Sequence, residues 1–176
     1  AARGDQGEGG EKDKKKGHSI FMDFYARGAR RHMEEHGTTQ RQLAAIAAKN
    51  HNNSTLNPFA QYTFPQTVEQ VMEDREVAFP LTRAMCAPIG DGAAAAIVCS
   101  ERFLKRRSSS RAVRILASVL KSGQRTGPND ICKRGSDAAY EIAGLGPQDI
   151  DVAEVHDATA FGELYQTEQM GFCPVG

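Results

Sequence analysis

The sequence predicts an α/β fold, and three observations carry that reading. Aliphatic runs of strand length recur at Ala93–Cys99, Ala112–Ser122 and Val152–Val155. Amphipathic patterns with helical spacing lie between and after them. The last third of the chain then runs strand, long loop, helix, strand, helix, which is a βαβ crossover followed by one more helix.

Composition narrows the class. The 176 residues carry 22 Lys and Arg against 22 Asp and Glu, so no net charge draws the protein to nucleic acid or to a membrane surface. A mean hydropathy of −0.49 reflects long polar stretches beside apolar ones. No apolar run approaches the roughly 20 residues that span a bilayer, and the first residues do not read as a signal peptide. The four cysteines, Cys86, Cys99, Cys132 and Cys173, include no C-x-x-C pair. That spacing argues against a zinc site or a disulfide framework and suits a reducing compartment, with a cytoplasmic location expected, or a peroxisomal one in a eukaryote.

In chain order, residues 1–18 read as a flexible, charged, glycine-rich lead-in, with Lys12–Lys16 as a solvated charge run. Ser19–Glu35 reads as an amphipathic helix with Phe21, Phe24, Tyr25, Ala29 and Met33 near one face and Gly37 closing it. His32 and His36 stand one turn apart, but H-M-E-E-H lacks the glutamate after the first histidine that a zincin requires, so a surface helix end is expected. Thr38-Thr39 caps a second helix, Gln40–Lys49, whose stripe is Leu43, Ala44, Ile46 and Ala47. Asn50–Phe64 is rich in Asn and Pro and is expected to be irregular. Thr67 opens a short helix over Val68–Asp74, and Val77–Leu81 is a short apolar segment interrupted by Pro80. Pro88 and Gly90 make a turn before Ala93–Cys99, an unbroken apolar run suited to a strand buried on both faces. Glu101–Arg106 reads as a short exposed helix, and Ser136–Ala143 as a helix stopped by Gly144 and Pro147.

The chemistry concentrates at residues 151–171, DVAEVHDATAFGELYQTEQMG. Val152, Ala153 and Val155 make a strand-length run, and Phe161, Leu164 and Tyr165 follow with helical spacing. His156 and Asp157 sit between strand and helix, where ligands tend to bind in open α/β sheets. Asp157 is expected to cap the helix. A histidine so placed can move a proton or donate to a developing negative charge, while the plainer reading is a polar turn before a capped helix.

Several segments, in this order, resemble the thiolase superfamily, and within it the sterol-carrier-protein-X-like thiolases. They are Arg31-His32-Met33 before His36-Gly37-Thr38, Lys49-Asn50-His51, Asn57-Pro58-Phe59-Ala60-Gln61, Cys86-Ala87-Pro88 with Asp91-Gly92-Ala93-Ala94-Ala95-Ala96, Asp149-Ile150-Asp151, Glu154-Val155-His156-Asp157 and Gly171-Phe172-Cys173-Pro174. The resemblance covers roughly residues 24–176 and implies a partial thiolase-like fold of βαβ layers with a helical loop domain. On that pattern, residues 19–90 would belong to the helical loop domain that covers coenzyme A. Residues 91–106 would end the N-terminal half, and 107–176 would open the C-terminal half.

The resemblance also implies a role for the turn. The H-D pair stands where ordinary thiolases carry N-E-A-F, whose first residue holds a catalytic water and helps form an oxyanion hole; that role falls on His156, with Asp157 as its acidic neighbour. Ala158-Thr159 departs from relatives that have a small residue followed by Phe. The family's nucleophilic cysteine, its G-H-P histidine and its second cysteine near the C-terminus have no matching motif here, so the chain is expected to be the middle of a longer subunit. Structural or inert roles are expected for Cys86, for Cys99 on the buried strand, for Cys132 in a loop and for Cys173.

The implied activity is acyl transfer on CoA thioesters, by Claisen condensation or thiolytic cleavage of a 3-ketoacyl-CoA. Coenzyme A thioester is then the substrate, with no permanently bound cofactor and no metal. A homodimer is implied. Two other readings stand beside it: a retro-aldolase acting on sterol side-chain CoA esters with an OB-fold/zinc-ribbon partner, and a non-catalytic acyl-CoA- or lipid-binding protein.

Overall fold

The structure is a computed structural model that describes residues 20–107, 111–124 and 130–176; the lead-in 1–18 lies outside them. Its centre is helical. Helix α1 spans Ile20–His36 and ends at Gly37, whose φ of 76° only glycine adopts readily. Helix α2 runs Gln40–Ser54 from a capping box in which Thr39 and Gln42 satisfy each other's free N–H groups. A second capping box, Thr67 with Gln70, starts α3, Val68–Glu73. Strands β1, Glu76–Ala78, and β2, Leu81–Thr82, then form an antiparallel hairpin that turns at Phe79-Pro80. The short α4, Glu101–Leu104, follows, then α5, Ile131–Ala143, ended by Gly144 in the left-handed region, and α6, Ala160–Gln169.

The core lies where α2 packs on α3 and α6, and where α1 packs on α6 and β1. Ala26, Ala29, Leu43, Ala44, Ala47, Ala48, Val71, Leu81, Met85, Ala160 and Phe161 fill it. Small residues let the helices approach closely: a Cβ built on Gly28 of α1 would stand 2.7 Å from Phe161 Cε1. Polar ties complete the joint. Arg30 Nη1 donates to Phe79 O at 2.5 Å, Gln40 Nε2 to Pro80 O at 2.8 Å, and Thr82 Oγ1 to Val71 O at 2.7 Å.

Several expectations change. The aliphatic runs at 93–99, 112–122 and 152–155 form no strand among the described residues; Ile97 is 96% exposed, Leu120 96% and Val152 81%. An apolar run becomes a strand only when neighbouring strands accept and donate its backbone hydrogen bonds, and the one described sheet is the β1–β2 hairpin. Cys99 is accordingly exposed rather than buried. Helix α2 continues five residues past Lys49 into the segment expected to be irregular, and α5 begins at Ile131, which puts Cys132 on a helix. Phe21 and Phe24 of α1 are exposed, because the buried stripe is instead Ala26, Ala29 and His32.

The largest departure is His32, expected at a surface and found buried. Its Nε2 donates to Glu168 Oε2 of α6 at 2.8 Å, and its Nδ1 lies 2.7 Å from the Thr38 hydroxyl. Glu168 Oε1 in turn accepts the Gly176 N–H at 3.0 Å.

Replacing His32 by Leu is expected to lower unfolding stability by about 1–3 kcal/mol, since a buried carboxylate loses its donor; equilibrium denaturation checks this. Gly28→Ala is expected to cost a similar ~1–3 kcal/mol through the clash with Phe161, and Phe161→Leu in the same chain is expected to recover part of it.

Candidate active site

The His156–Asp157 turn is held between two neighbours. On one side Ala87 N donates to Ala158 O at 3.0 Å, and Cys86 bridges to Thr159 in antiparallel fashion. That pairing keeps 158–159 extended, so α6 starts only at Ala160. Thr159 is therefore the N-cap, with its hydroxyl accepting from Gly162 N at 3.1 Å. Asp157, expected as the cap, stands two residues too early to reach those N–H groups. On the other side Gln166 of α6 meets the His156 backbone: Oε1 accepts the His156 N–H at 3.1 Å and Nε2 donates to His156 O at 2.6 Å.

Asp157 instead lines a cleft of about 290 Å³ between α2, the loop before α3, the segment after β2 and the start of α6. Asn50, His51, Tyr62, Cys86 and Ala160 are among the other lining residues. His156 is exposed and is not part of that lining.

The α2 wall of the cleft is set by Glu163 on α6. Its two oxygens accept from Lys49 Nζ and, at 2.8 Å, from Asn50 Nδ2. The next residue, His51, has Nε2 3.2 Å from Ala84 O and its ring against Tyr62 and Phe64, with centroids 6.1 and 5.7 Å away. The cleft thus offers an imidazole, an amide, a carboxylate and a thiol on an otherwise alanine-rich, aromatic-edged surface.

Cys86 is half-buried, with Sγ donating to Thr82 O at 3.4 Å. Burial pushes its thiol up from the usual 9.0 to about 11, so at neutral pH it is a poor nucleophile. Among the described residues no three His, Cys, Asp or Glu side chains gather to hold a metal ion. No described helix is long and apolar enough to cross a membrane.

Sequence reasoning found the turn, and the Lys49-Asn50-His51 segment by resemblance. It missed the grouping of Asn50, His51, Cys86 and Asp157, because these residues, 35 to 107 positions apart except for the adjacent Asn50 and His51, meet only through tertiary contacts such as that of α2 with α6 and the pairing of Cys86 with Thr159. It also missed Gln166 and Glu163, which lie on the polar side of a helix pattern. Their i, i+3 spacing on α6 is the only trace in the sequence.

The Thiolase C-terminal domain-like family matches residues 118–176. The chain is 39% identical over 165 residues to the benzoylsuccinyl-CoA thiolase subunit BbsB of Thauera aromatica, covering 90% of this chain and 43% of that protein. It is 37% identical over 168 residues to sterol carrier protein 2 of Gallus gallus, covering 89% of this chain and 31% of that one. Among solved structures it resembles the Ltp2-ChsH2(DUF35) aldolase, with a TM-score of 0.71, 23% identity and coverage of 86% and 43% of the two chains, a likeness of fold. The chain spans less than half the length of each of these proteins.

Rising pH tests the Cys86 environment. Between pH 9 and about 11 the unfolded chain releases the thiol proton while the folded one retains it, so the unfolded state gains and stability falls across that window. Below pH 9 this contribution is fully present. Cys86→Ser is expected to show a shallower decline in urea midpoint over the same window; equal slopes would refute the assignment.

Proposed function

The chain belongs to the thiolase superfamily, and from that premise we propose that it is part of an enzyme acting on CoA thioesters. The reaction is acyl transfer, by Claisen condensation or by thiolytic cleavage of a 3-ketoacyl-CoA. The observation that carries this reading is the 39% identity, over nine-tenths of the chain, to a protein named a CoA thiolase subunit. The helices of residues 19–90 cover coenzyme A, 91–106 close the first thiolase half, and 107–176 open the second. The working assembly is a homodimer, in the cytoplasm or in the peroxisome of a eukaryote.

Within this reading His156 donates to the thioester oxygen. Forming a carbanion beside the thioester, or adding a nucleophile to it, moves negative charge onto that oxygen. A fixed donor in a site that excludes water stabilises the charge where it develops, and loss of one such donor costs about 2.7–4 kcal/mol of transition-state stabilisation. What supports this role is the place of His156 in the turn before α6, next in the chain to Asp157, which lines the cleft. Asp157 is the acidic neighbour and shapes the wall. Cys86 is poorly suited to be the acyl acceptor, because burial pushes its thiol up to about 11.

A second reading takes its support from the aldolase fold relative: retro-aldol cleavage of a β-hydroxyacyl-CoA, of sterol side-chain type, with a partner of the DUF35 kind. That reaction needs no acyl-enzyme.

In the intact protein, His156→Ala is expected to lower kcat about 10²–10³-fold with KM little changed, and His156→Asn, which keeps a donor, to retain more activity. Unchanged kcat in His156→Ala would remove the oxyanion role. Mass spectrometry of the protein with 3-ketoacyl-CoA is expected to show an acyl adduct; ketone release without one would favour the aldolase. Acyl-CoA binding with no turnover of either substrate would leave a binding protein.

A further inference from the structure

We propose that Gln166 is a positioning residue that holds the peptide backbone of His156 in its working orientation; the proposal rests on the role given to His156 above. A primary amide offers one acceptor and two donor hydrogens, and Gln166 uses both ends. Oε1 accepts the His156 N–H at 3.1 Å, while Nε2 donates to His156 O at 2.6 Å and to Gly162 O at 2.9 Å. Only one orientation of the amide satisfies all three contacts, because the reverse would set oxygen against two carbonyls and NH₂ against an N–H. The side chain thus pairs with His156 as a neighbouring strand would, through both N–H and C=O of one residue.

A second observation points to the same peptide group. A Cβ built on Gly162 would stand 3.1 Å from His156 O, so that carbonyl is packed against the bare backbone of α6 as well as hydrogen-bonded to it. The anchor is itself firm. Gly162 and Gln166 are one turn apart on α6, whose start is capped by Thr159 and whose body is pinned by Glu163 to Lys49 and Asn50 and by Glu168 to His32. The residues before the turn supply no such hold: Val152 is 81% exposed and the run 151–155 is in no described ladder. His156 is therefore oriented from the helix that follows it. A donor aimed at a developing charge must be held in place before the reaction, and a displacement of about 1 Å can cost on the order of a hundredfold in rate.

The test uses Gln166→Met, which keeps length and loses all three hydrogen bonds, with Gln166→Ala as a second variant, each in the intact protein. With the thioester substrate, kcat is expected to fall between about tenfold and a hundredfold, with KM within about twofold. Added to His156→Ala, Gln166→Met is expected to cost nothing further, because no donor remains to be positioned. Where His156→Ala does lower kcat, a retained wild-type kcat in Gln166→Met, or the same loss repeated in the His156→Ala background, would overturn the proposal and leave Gln166 a general structural residue. Hydrogen exchange, read on the peptide that contains His156, supplies an answer that does not need turnover. The His156 amide is expected to exchange faster in both Gln166 variants than in wild type. Should His156→Ala alone leave kcat unchanged, the oxyanion reading falls; the clamp then stands on faster exchange and is overturned by unchanged exchange.

Discussion

The buried contact between His32 and Glu168 is the joint on which the described structure depends. One imidazole meets the Thr38 hydroxyl on one side and the Glu168 carboxylate on the other, and so links α1, the turn after it and α6. Burying a carboxylate is costly unless donors meet it, and here both oxygens are met, the second by the Gly176 N–H. The contact is directional where the surrounding alanine and phenylalanine packing is not. It sets how α6 lies against α1, and through α6 it sets where the turn before that helix can stand.

From that joint the cleft follows. Helix α6 carries Glu163 towards α2, and its carboxylate takes hold of Lys49 and Asn50. The residue after them, His51, then lines the same cleft as Asp157 and Cys86, beside the strand-like pairing of 86–87 with 158–159. Polar side chains on one helix thus determine both walls. His51 and Tyr62 give the cleft an aromatic edge, with Phe64 packed against both rings, and the alanines of the lining leave room.

The Cys86 thiol shows how the same position reads differently at two levels. In the sequence it is a cysteine beside a Pro-Gly turn, with an inert role expected. In the structure burial pushes its thiol up to about 11, which makes it a poor nucleophile at neutral pH, and yet it lines the cleft rather than standing away from it.

Much of the helical framework was legible in the residues alone. Thr39 and Thr67 as caps, Gly37 and Gly144 as stops, and the apolar faces of α2 and α6 all follow from interactions within a few positions of each other, and the linear sequence contains those in full. The order of short motifs that marks the superfamily is likewise a property of the line of residues. What required the tertiary structure is what depends on a distant neighbour. A strand exists only beside another strand, so the runs at 93–99, 112–122 and 152–155 could not be judged from their apolar content. A histidine can be buried only where partners meet its ring nitrogens, and Glu168 lies 136 positions from His32. The cap of α6 moved from Asp157 to Thr159 because a segment seventy residues earlier pairs with 158–159. Patterning over a few residues decides which helices form; hydrogen bonds between distant ones decide which side chains end up facing each other.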